Sequence, residues 1–442
     1  MRCRWILLVF SCSFLGAAEV KLATPAEYRR VLTTLRAGDT LRLAAGVYER
    51  GLPLSNCLGT PEAWITIEGP ENGVAEIRQR QVANCVELYH CRYVALKRLS
   101  ILGEGPQGIP GVFGISAKGG EKNLVHHILI EDCVISDWNT SQQAVGISTK
   151  TPTWDWTIRR NVIRNCGTGL YLGNSNGADP FLRGVIEYNL VENPIGYCME
   201  IKFQTSRPKL PDLPVAPGRT RIRHNVFVKE DSPSPDGDRP NVLVGGFPQS
   251  GVGSEDICEL YGNVFWQNPR EALLQASGRV SIHDNLFLSD GATRGAAIAL
   301  RHHDLPLDRA HVYHNTIVTS GEGIRIAADD VKDLVITGNA IFAGAGAIVP
   351  NGATGRIEAN QIGRDTDAGD HLSQPSALEL GPLPGKAEGP LIDLSIFSSD
   401  TEFSRDFDGM ERGASRHLGA FSRPRPEGSW PIQRGIKPPP SP

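Results

Sequence analysis

The sequence predicts an all-β protein, built as one solenoid of short stacked strands that follows a short N-terminal helix. Three observations carry this prediction. A phrase centred on Asn recurs along the chain, a second phrase of alternating apolar residues recurs between its copies, and glycine and proline are frequent, at 48 and 31 of 442 residues. Self-similarity at a spacing of about 20 to 50 residues is typical of solenoids and other repeat architectures.

The N-terminal segment is predicted to be a signal peptide over residues 1–18. Arg2 and Arg4 give it a positive start, an apolar stretch follows, and residues 16–18 are the small residues of a cleavage site. The apolar stretch is shorter than the roughly 18 residues that span a bilayer, and no later run approaches that length. We therefore expect a secreted or periplasmic protein without a membrane span, with a lipoprotein signal ending at Cys12 as the alternative.

A capping helix is predicted next, over residues 25–36. Thr24 suits the N-cap, Pro25 suits the first helical position, and Glu27 completes a capping box. Gly38 follows the expected end of the helix. This helix would close the apolar end of the solenoid, because the terminal repeats of such proteins need a cap.

The Asn phrase defines the coils of the solenoid. Its copies are centred on Asn161, Asn189, Asn225, Asn263, Asn285, Asn315, Asn339 and Asn360, and Cys133 stands at the same position of an earlier copy. A unit this short cannot bury its own apolar face, so the copies must stack, and we expect about ten coils. We expect each Asn to take the left-handed backbone conformation of a tight corner and to bond through its amide to the Asn of the next coil.

The second phrase predicts one sheet face with a polar column. Because side chains alternate along a strand, Ile115, Ile147 and Leu170 should face inward while their neighbours face outward. The predicted outward residues are Ser116, Ser148, Tyr171, Glu200, Ala299 and Arg325, and the cations Lys118, Lys150, Lys202 and Arg301 follow on the same strands.

The Asn-centred coils resemble the right-handed parallel β-helix proteins of the pectin-lyase-like superfamily, and are loosely similar to the alginate lyase and chondroitinase B group. The strands predicted over 37–48 and 59–67, and a closing segment that contains Asp406, Arg412 and Phe421, resemble the same proteins. The resemblance implies a right-handed parallel β-helix that acts on acidic polysaccharides.

The domain organisation follows from the extent of this resemblance. We expect one parallel β-helix domain over residues 19–421. Residues 422–442 are rich in proline and have no periodicity, so they are predicted to form a disordered tail.

Inserted loops predict where a polymer could bind. Residues 173–184, 203–219, 229–241 and 247–257 interrupt the repeat, and long loops in a compact repeat are usually functional. They are expected to wall a groove over the face that carries the second phrase. A long groove on a rod suits a polysaccharide.

The residues expected in this groove suit β-elimination on a uronate polymer, which needs a base, a carboxylate partner and a proton donor. Lys202 or His302 is the expected base, Arg301 or Arg207 the carboxylate partner, and Tyr171 the proton donor. The full set of candidate catalytic residues is Lys202, Arg301, His302, Tyr171 and Glu200, and the substrate-binding candidates are Lys118, Lys150, Gln204, Arg207 and Arg325. The alternative is that these cations only solvate an exposed sheet face.

Calcium is the candidate cofactor. Asp236, Asp238, Glu255 and Asp256 supply carboxylate oxygens from two of the inserted loops, and such ligands suit Ca²⁺. The alternative is an ordinary polar turn, since aspartate is common in turns.

Other functions remain open from the sequence. A glycoside hydrolase needs paired carboxylates, and a glycan-binding or structural cell-surface β-helix needs no catalytic groups. The net charge of −4 argues against a nucleic-acid partner, and we expect a monomer. Cys57 and Cys85 are candidates for one disulfide among the seven cysteines that follow the predicted signal peptide.

Overall fold

The computed structural model describes residues 18–79, 82–205, 207–289 and 291–439. The signal peptide predicted over 1–18 lies outside the described residues except for Ala18. The described chain winds into a solenoid with three long parallel sheets, which we name sheet I, sheet II and sheet III in the order that each coil visits them. The predicted all-β solenoid is confirmed.

Short strands make up the three sheets. Sheet I consists of Leu52–Ser55, Val86–Tyr89, Ile115–Lys118, Val145–Lys150, Thr168–Leu172, Met199–Ile201, Val242–Val244, Leu274–Ala276, Ala296–Arg301, Glu322–Ala327 and Gly346–Val349. Sheet II consists of Val20–Ala23, Thr40–Leu43, Ile65–Glu68, Cys91–Lys97, Val125–Glu131, Thr153–Trp154, Thr157–Arg159, Phe181–Leu182, Val185–Glu187, Arg219–Arg223, Ile257–Tyr261, Gly278–His283, Leu307–Tyr313, Asp333–Thr337 and Arg356–Glu358. Sheet III consists of Gly46–Tyr48, Ala75–Ile77, Ser100–Leu102, Val134–Ser136, Val162–Arg164, Leu190–Glu192, Val226–Val228, Val264–Trp266, Leu286–Ser289, Thr316–Thr319, Ala340–Ala343 and Gln361–Gly363.

The remaining elements are short. A two-stranded antiparallel sheet joins Leu372–Gln374 to Glu379–Pro382. The 3-10 helices are Gly105–Gln107, Gly120–Lys122, Asp365–Asp370, Pro375–Ala377 and Leu394–Phe397.

Each strand pairs in parallel with the strand one coil further on. Ile115 lies opposite Ile147, and Ile147 lies opposite Leu170, so identical positions of the repeat stack in columns. All three side chains are completely buried, as the alternation predicts. Adjacent strands lie about 4.8 Å apart, so each coil advances the solenoid by that distance. Sheet I has eleven strands among the described residues, close to the ten coils expected.

The Asn side chains form a buried ladder through the stack. The Oδ1 of Asn189 accepts hydrogen bonds from the backbone N–H and the Nδ2 of Asn161, both at 3.0 Å. The Oδ1 of Asn225 accepts the same two hydrogen bonds from the backbone N–H and the Nδ2 of Asn189, at 3.0 and 2.9 Å. The ladder continues to Asn360, and its interior members are fully buried. The predicted ladder is therefore present.

The left-handed corner residue is not the Asn but the residue before it. Arg160, Tyr188 and His224 have φ between 53° and 56° and precede Asn161, Asn189 and Asn225. The prediction that Asn itself takes this conformation was wrong. The corner is turned one residue earlier, and this leaves the Asn amide pointing along the stack, where it bonds to the next coil.

The N-terminal helix spans Tyr28–Leu32 and is shorter than the predicted 25–36. The Oγ1 of Thr24 donates to the Oε2 of Glu27 at 2.9 Å, but the segment after Leu32 continues as turns. Tyr28 packs edge-on against Tyr48, with ring centroids 4.9 Å apart. One turn of helix is therefore enough to cover this end of the core.

The C-terminal segment covers the outer face of sheet III. Phe407, Phe421 and Ile432 are buried there against apolar side chains of the sheet. The Nζ of Lys437 donates to the backbone oxygens of Phe407 at 2.6 Å and of Gly262 at 3.2 Å. The tail predicted to be disordered over 422–442 is described as far as residue 439, and this part is held against the solenoid. Its few apolar and basic side chains find partners that no repeat pattern reveals.

The cysteines after the predicted signal peptide are all buried free thiols. The Sγ of Cys91 donates to the backbone oxygen of Leu54 at 3.4 Å, and the Sγ of Cys85 donates to the backbone oxygen of Ile77 at 3.3 Å. The predicted disulfide between Cys57 and Cys85 is not formed. These thiols act as small apolar side chains in the core.

Candidate functional site

A cluster of cationic and phenolic side chains lies on the outer face of sheet I. Ser148, Tyr171 and Glu200 follow one another in register on three successive coils. Lys150 and Lys202 follow at the ends of two of these strands, so that Tyr171 lies between them. The Nζ of Lys150 is 5.3 Å from the centre of the Tyr171 ring, and the Nζ of Lys202 is 5.9 Å from it. Both distances are within the range of cation–π attraction.

Glu200 and Lys202 form a close ion pair within this cluster. Their Oε1 and Nζ atoms are 2.8 Å apart, and the side chain of Glu200 is only 4% exposed. A carboxylate buried to this degree needs a partner, because an unpaired buried charge is costly. The two residues lie on the same face of one strand, two positions apart, as the alternation predicts.

The surroundings shift two pKa values in opposite senses. Burial lowers the pKa of Lys150, and the positive charge of Lys118 lowers it further. Burial raises the pKa of Tyr171 to about 12, and the negative charge of Glu200 adds to this effect. The site thus combines a lysine that deprotonates more readily than usual with a phenol that keeps its proton.

The walls of the site form a cleft of about 190 Å³ around these residues. Gln142 and Gln143 lie on one side, and Tyr197 and Arg239 complete the lining. The guanidinium of Arg239 lies 5.8 Å from the centre of the Tyr197 ring. This volume is below the roughly 300–1,000 Å³ of pockets for drug-sized molecules, so the cleft is suited to about one sugar ring.

Tyr197 and Arg239 line the cleft but were missed by the sequence-based prediction, and His303 lies near the cleft. Tyr197 lies just before the repeat phrase, and Arg239 lies on the inserted loop 229–241. The segment after Arg301 folds back toward the coil of Lys202. Leu305 packs directly on Gly246, so closely that a Cβ added to Gly246 would lie 2.6 Å from the Leu305 Cβ. The charges of Lys202 and Glu200 consequently act on His303, whose pKa is lowered mainly by burial.

The other predicted cations lie outside this cleft. Lys118 is exposed one coil before Lys150. Arg301 lies opposite Ala327, three coils beyond Lys202, and Arg325 is paired with Glu322. At about 4.8 Å per coil, three coils place Arg301 roughly 14 Å from Lys202. Arg301 and Arg325 therefore belong to a different part of sheet I.

Gln204 and Arg207 have structural partners. The Nε2 of Gln204 donates to the backbone oxygen of Phe181 at 3.5 Å, and its side chain is buried. Arg207 is ion-paired with Asp256, and both side chains are at most 6% exposed. This pair joins the loops 203–219 and 247–257. Because Arg207 is buried and paired with Asp256, it is not available to bind a substrate carboxylate.

The loops themselves differ from their predicted arrangement. Loop 229–241 lines the cleft through Arg239, as expected. Loop 203–219 turns away from sheet I, because Leu210 and Leu213 pack against Trp154 and Leu182 on sheet II. It therefore lies along sheet II.

The four predicted calcium ligands do not come together. Glu255 lies 3.2 Å from Arg279, Asp256 is paired with Arg207, and Asp238 lies 3.9 Å from Arg270. The Oδ2 of Asp236 accepts from Gln143 at 3.4 Å. The residues present do not fit a calcium site, because cations already neutralise three of the four carboxylates.

Among the described residues, one group has metal-ligand spacing: His302, Asp329 and Asp330. The Nδ1 of His302 accepts a hydrogen bond from the backbone N–H of Leu307 at 2.9 Å. The neutral ring must therefore carry its proton on Nε2, which lies 3.0 Å from the Oδ1 of Asp330. In this arrangement His302 is a hydrogen-bond donor, so it has no lone pair for a metal and cannot accept a proton at Nε2.

A comparison with solved structures finds proteins of similar architecture. A mutant of the PL6 family alginate lyase AlyGC matches with a TM-score of 0.50 at 14% identity, over 78% of this chain and 51% of that chain. This chain has the fold of a right-handed parallel β-helix. It spans about half the length of that lyase, and the low identity shows the fold alone.

Further β-helix structures are similar at lower scores. Pectate lyase Pel9A matches at 9% identity over 92% of this chain and 90% of that one, with a TM-score of 0.41. The A-module of the mannuronan C-5 epimerase AlgE4 from Azotobacter vinelandii matches at 16% identity over 76% and 92%, with a TM-score of 0.43. No family model and no curated protein matches the chain. In the described part of the chain, no helix is long and apolar enough to cross a membrane.

Proposed function

We propose that this β-helix is a secreted carbohydrate-active enzyme that cleaves an acidic polysaccharide by β-elimination in the cleft around Tyr171. The observation that carries the proposal is the alignment of Lys150, Tyr171 and Lys202 on consecutive coils with opposed pKa shifts. A base and an acid whose pKa values are pushed apart are what an elimination requires. The alginate lyase and pectate lyase among the similar structures act on substrates of this chemical class.

The residues take the following roles. The neutral amine of Lys150 removes the C5 proton of a uronate, and the C4–C5 double bond forms as the C4–O4 bond breaks. The hydroxyl of Tyr171 donates its proton to the departing O4. The ammonium of Lys150 and the phenolate of Tyr171 then exchange a proton through solvent, which restores the free enzyme.

The substrate carboxylate needs a cation, because the C5 proton becomes acidic only when the carboxylate charge is offset. Arg239 lines the cleft and donates to the backbone oxygens of Asp236 and Asp238 without an ion pair to a described residue, so it can supply this charge. Lys202 is already paired with Glu200, so Glu200 holds its ammonium in place. The base is thus assigned to Lys150 rather than to Lys202 or His302, and the carboxylate partner to residues other than Arg207 and Arg301.

The test is an ultraviolet assay for unsaturated uronate with alginate, pectate, chondroitin, dermatan, heparin and hyaluronan. Removing a general acid or base lowers the rate by about 10²- to 10⁴-fold, so Tyr171→Phe and Lys150→Met should each lose at least about 100-fold in kcat. Lys122→Gln removes an exposed lysine elsewhere and should retain full activity. Unchanged rates in both cleft variants would overturn the proposal, and affinity without turnover on any polymer would instead indicate a glycan-binding protein.

A further inference from the structure

A second groove lies on sheet II, away from the cleft on sheet I. Two adjoining cavities of about 360 and 660 Å³ form it, and they share His127 and Arg183. Asp212, Pro217 and Gly218 of loop 203–219 form part of its wall. This inserted loop is anchored here by its apolar residues and by the buried pair of Arg207 with Asp256. The described part of this loop, residues 203–205 and 207–219, therefore shapes a surface that the proposed elimination does not use.

A column of kinked residues forms the ridge between the two cavities. Tyr93, His127, Asp155 and Arg183 occupy equivalent positions on four successive coils, and their φ values are 51°, 52°, 57° and 52°. A left-handed residue also recurs at the corner before the Asn ladder, so this bend belongs to the repeat, and here it places the four side chains along the open groove.

Hydrogen bonds connect most of this ridge. The Nε of Arg183 donates to Asp155 at 2.9 Å, and the Nε2 of His127 lies 3.3 Å from the same carboxylate. The Nδ1 of His127 faces the Nδ1 of His126 at 2.7 Å. If His127 donates to Asp155 through Nε2, His126 must donate through Nδ1, so its Nε2 is left as an acceptor for a ligand hydroxyl.

Burial keeps His126 neutral. Its ring stacks on Trp154 at 4.3 Å with an interplanar angle of 7°. Burial and the neighbouring His127 lower the pKa of His126 to about 4. The acceptor at Nε2 therefore persists at neutral pH.

Aromatic faces and arginines complete the groove. Trp64 and Tyr93 are half-buried and pack edge to face with centroids 5.5 Å apart, and each lines one of the cavities. The guanidinium groups of the lining are those of Arg92, Arg183, Arg219 and Arg221. Four carboxylates, those of Asp155, Asp212, Glu259 and Asp400, neighbour these four groups. Arg92 forms no ion pair with a described residue, so its charge can bind an anion.

We infer that this groove is a second saccharide-binding surface that takes an anionic sugar chain. Aromatic rings pack against the apolar faces of sugar rings, guanidinium groups bind carboxylates in two-point geometry, and His126 accepts from a hydroxyl. The inference does not depend on catalysis in the sheet I cleft. It predicts a protein that holds one strand of its polymer on sheet II.

The test is affinity electrophoresis in gels that contain alginate, pectate or neutral dextran. It uses the full chain with Lys150→Met, so that elimination in the sheet I cleft does not degrade the polymer. The groove variant adds Arg92→Gln and Tyr93→Asn, because Asn tolerates the left-handed conformation at position 93. The matched control adds Arg164→Gln, which removes an exposed arginine on sheet III.

We expect retardation by at least one acidic polymer and not by dextran. The groove variant should bind about tenfold more weakly, because it loses one charge-assisted contact and one aromatic ring. The control should keep its affinity, and the melting temperatures of all three should agree. Equal retardation of the groove variant and the control, or no retardation of the parent, would overturn the inference. Groove-dependent retardation, together with no elimination product from the protein that retains Lys150, would uphold it while refuting the proposed function.

Discussion

Asn225 shows how much one side chain contributes to the stacking of the coils. Its Oδ1 accepts from the backbone and the side chain of Asn189, and its Nδ2 donates to Asn263 and to the backbone of Ile186 at 2.8 Å. A substitution by alanine leaves several buried polar groups without a partner, and each costs about 1–3 kcal/mol.

We predict that Asn225→Ala lowers the free energy of unfolding by about 3 kcal/mol or more, as measured by urea denaturation. The control is Asn360→Ala, at the half-exposed end of the ladder, where water can replace the lost partners. Its loss should be below about 1.5 kcal/mol. Equal losses in the two variants would show that the ladder does not act through buried hydrogen bonds.

Lys118 is predicted to set the pH dependence of the proposed elimination. Its positive charge lowers the pKa of Lys150, so Lys118→Gln should raise that pKa. Because the base works in its neutral form, the rising limb of kcat against pH should move to higher pH. Lys122→Gln, which removes an exposed lysine near this strand, should leave the limb in place. A limb that moves to lower pH, or not at all, would show that Lys150 is not the base.

Among the elements, the two repeat phrases predict the strands and the Asn ladder that recur in successive coils. They do not predict the course of segments that occur once. The inward position of Ile147 and Leu170 follows from alternation, and the ladder follows from the spacing of the Asn residues. The course of loop 203–219 does not follow, because Leu210 and Leu213 have no counterpart in the other coils and their partner Trp154 lies two coils earlier. The lowered pKa of Lys150 also depends on burial that only the stacked coils create.

The C-terminal segment is a second element that the sequence does not reveal. Lys437 is buried with its ammonium 3.4 Å from the centre of the Phe407 ring. Burial lowers its pKa to about 7, although Asp408, Asp406 and Glu402 act to raise it. The charge of Arg425 acts with the burial, and the Nδ1 of His224 lies 3.2 Å from the Nζ of Lys437.

This buried lysine predicts a specific pH dependence of stability. The unfolded chain binds more protons than the folded chain between the folded pKa of about 7 and the ordinary value of 10.5. Stability should therefore rise with pH across this window, by up to about 1.4 kcal/mol per pH unit from this group. Lys437→Met should remove that increment when urea denaturation at pH 7 and pH 9 is compared. An identical increment in both proteins would show that Lys437 keeps its charge in the fold.

In the molecule as a whole, the side chains that stabilise the fold face the interior of the β-helix, whereas those of the proposed site lie on its outer face. The columns inside the solenoid are apolar and fully buried, while successive outward positions present Tyr171, Glu200 and their neighbours at a spacing of one coil. A rod with this spacing presents one polar group about every 4.8 Å along its axis, which suits an extended polymer. Variants confined to the outer face should therefore alter activity with little loss of stability.

The central claim is that the cleft around Tyr171 breaks an acidic polysaccharide by elimination rather than by hydrolysis. The most direct measurement is mass spectrometry of the oligosaccharides released by residues 19–442, together with their ultraviolet absorbance. The account predicts absorbing products that are each one water molecule lighter than the saturated oligosaccharide, and their loss in Tyr171→Phe. Saturated products with new reducing ends, or full activity in Tyr171→Phe, would contradict it.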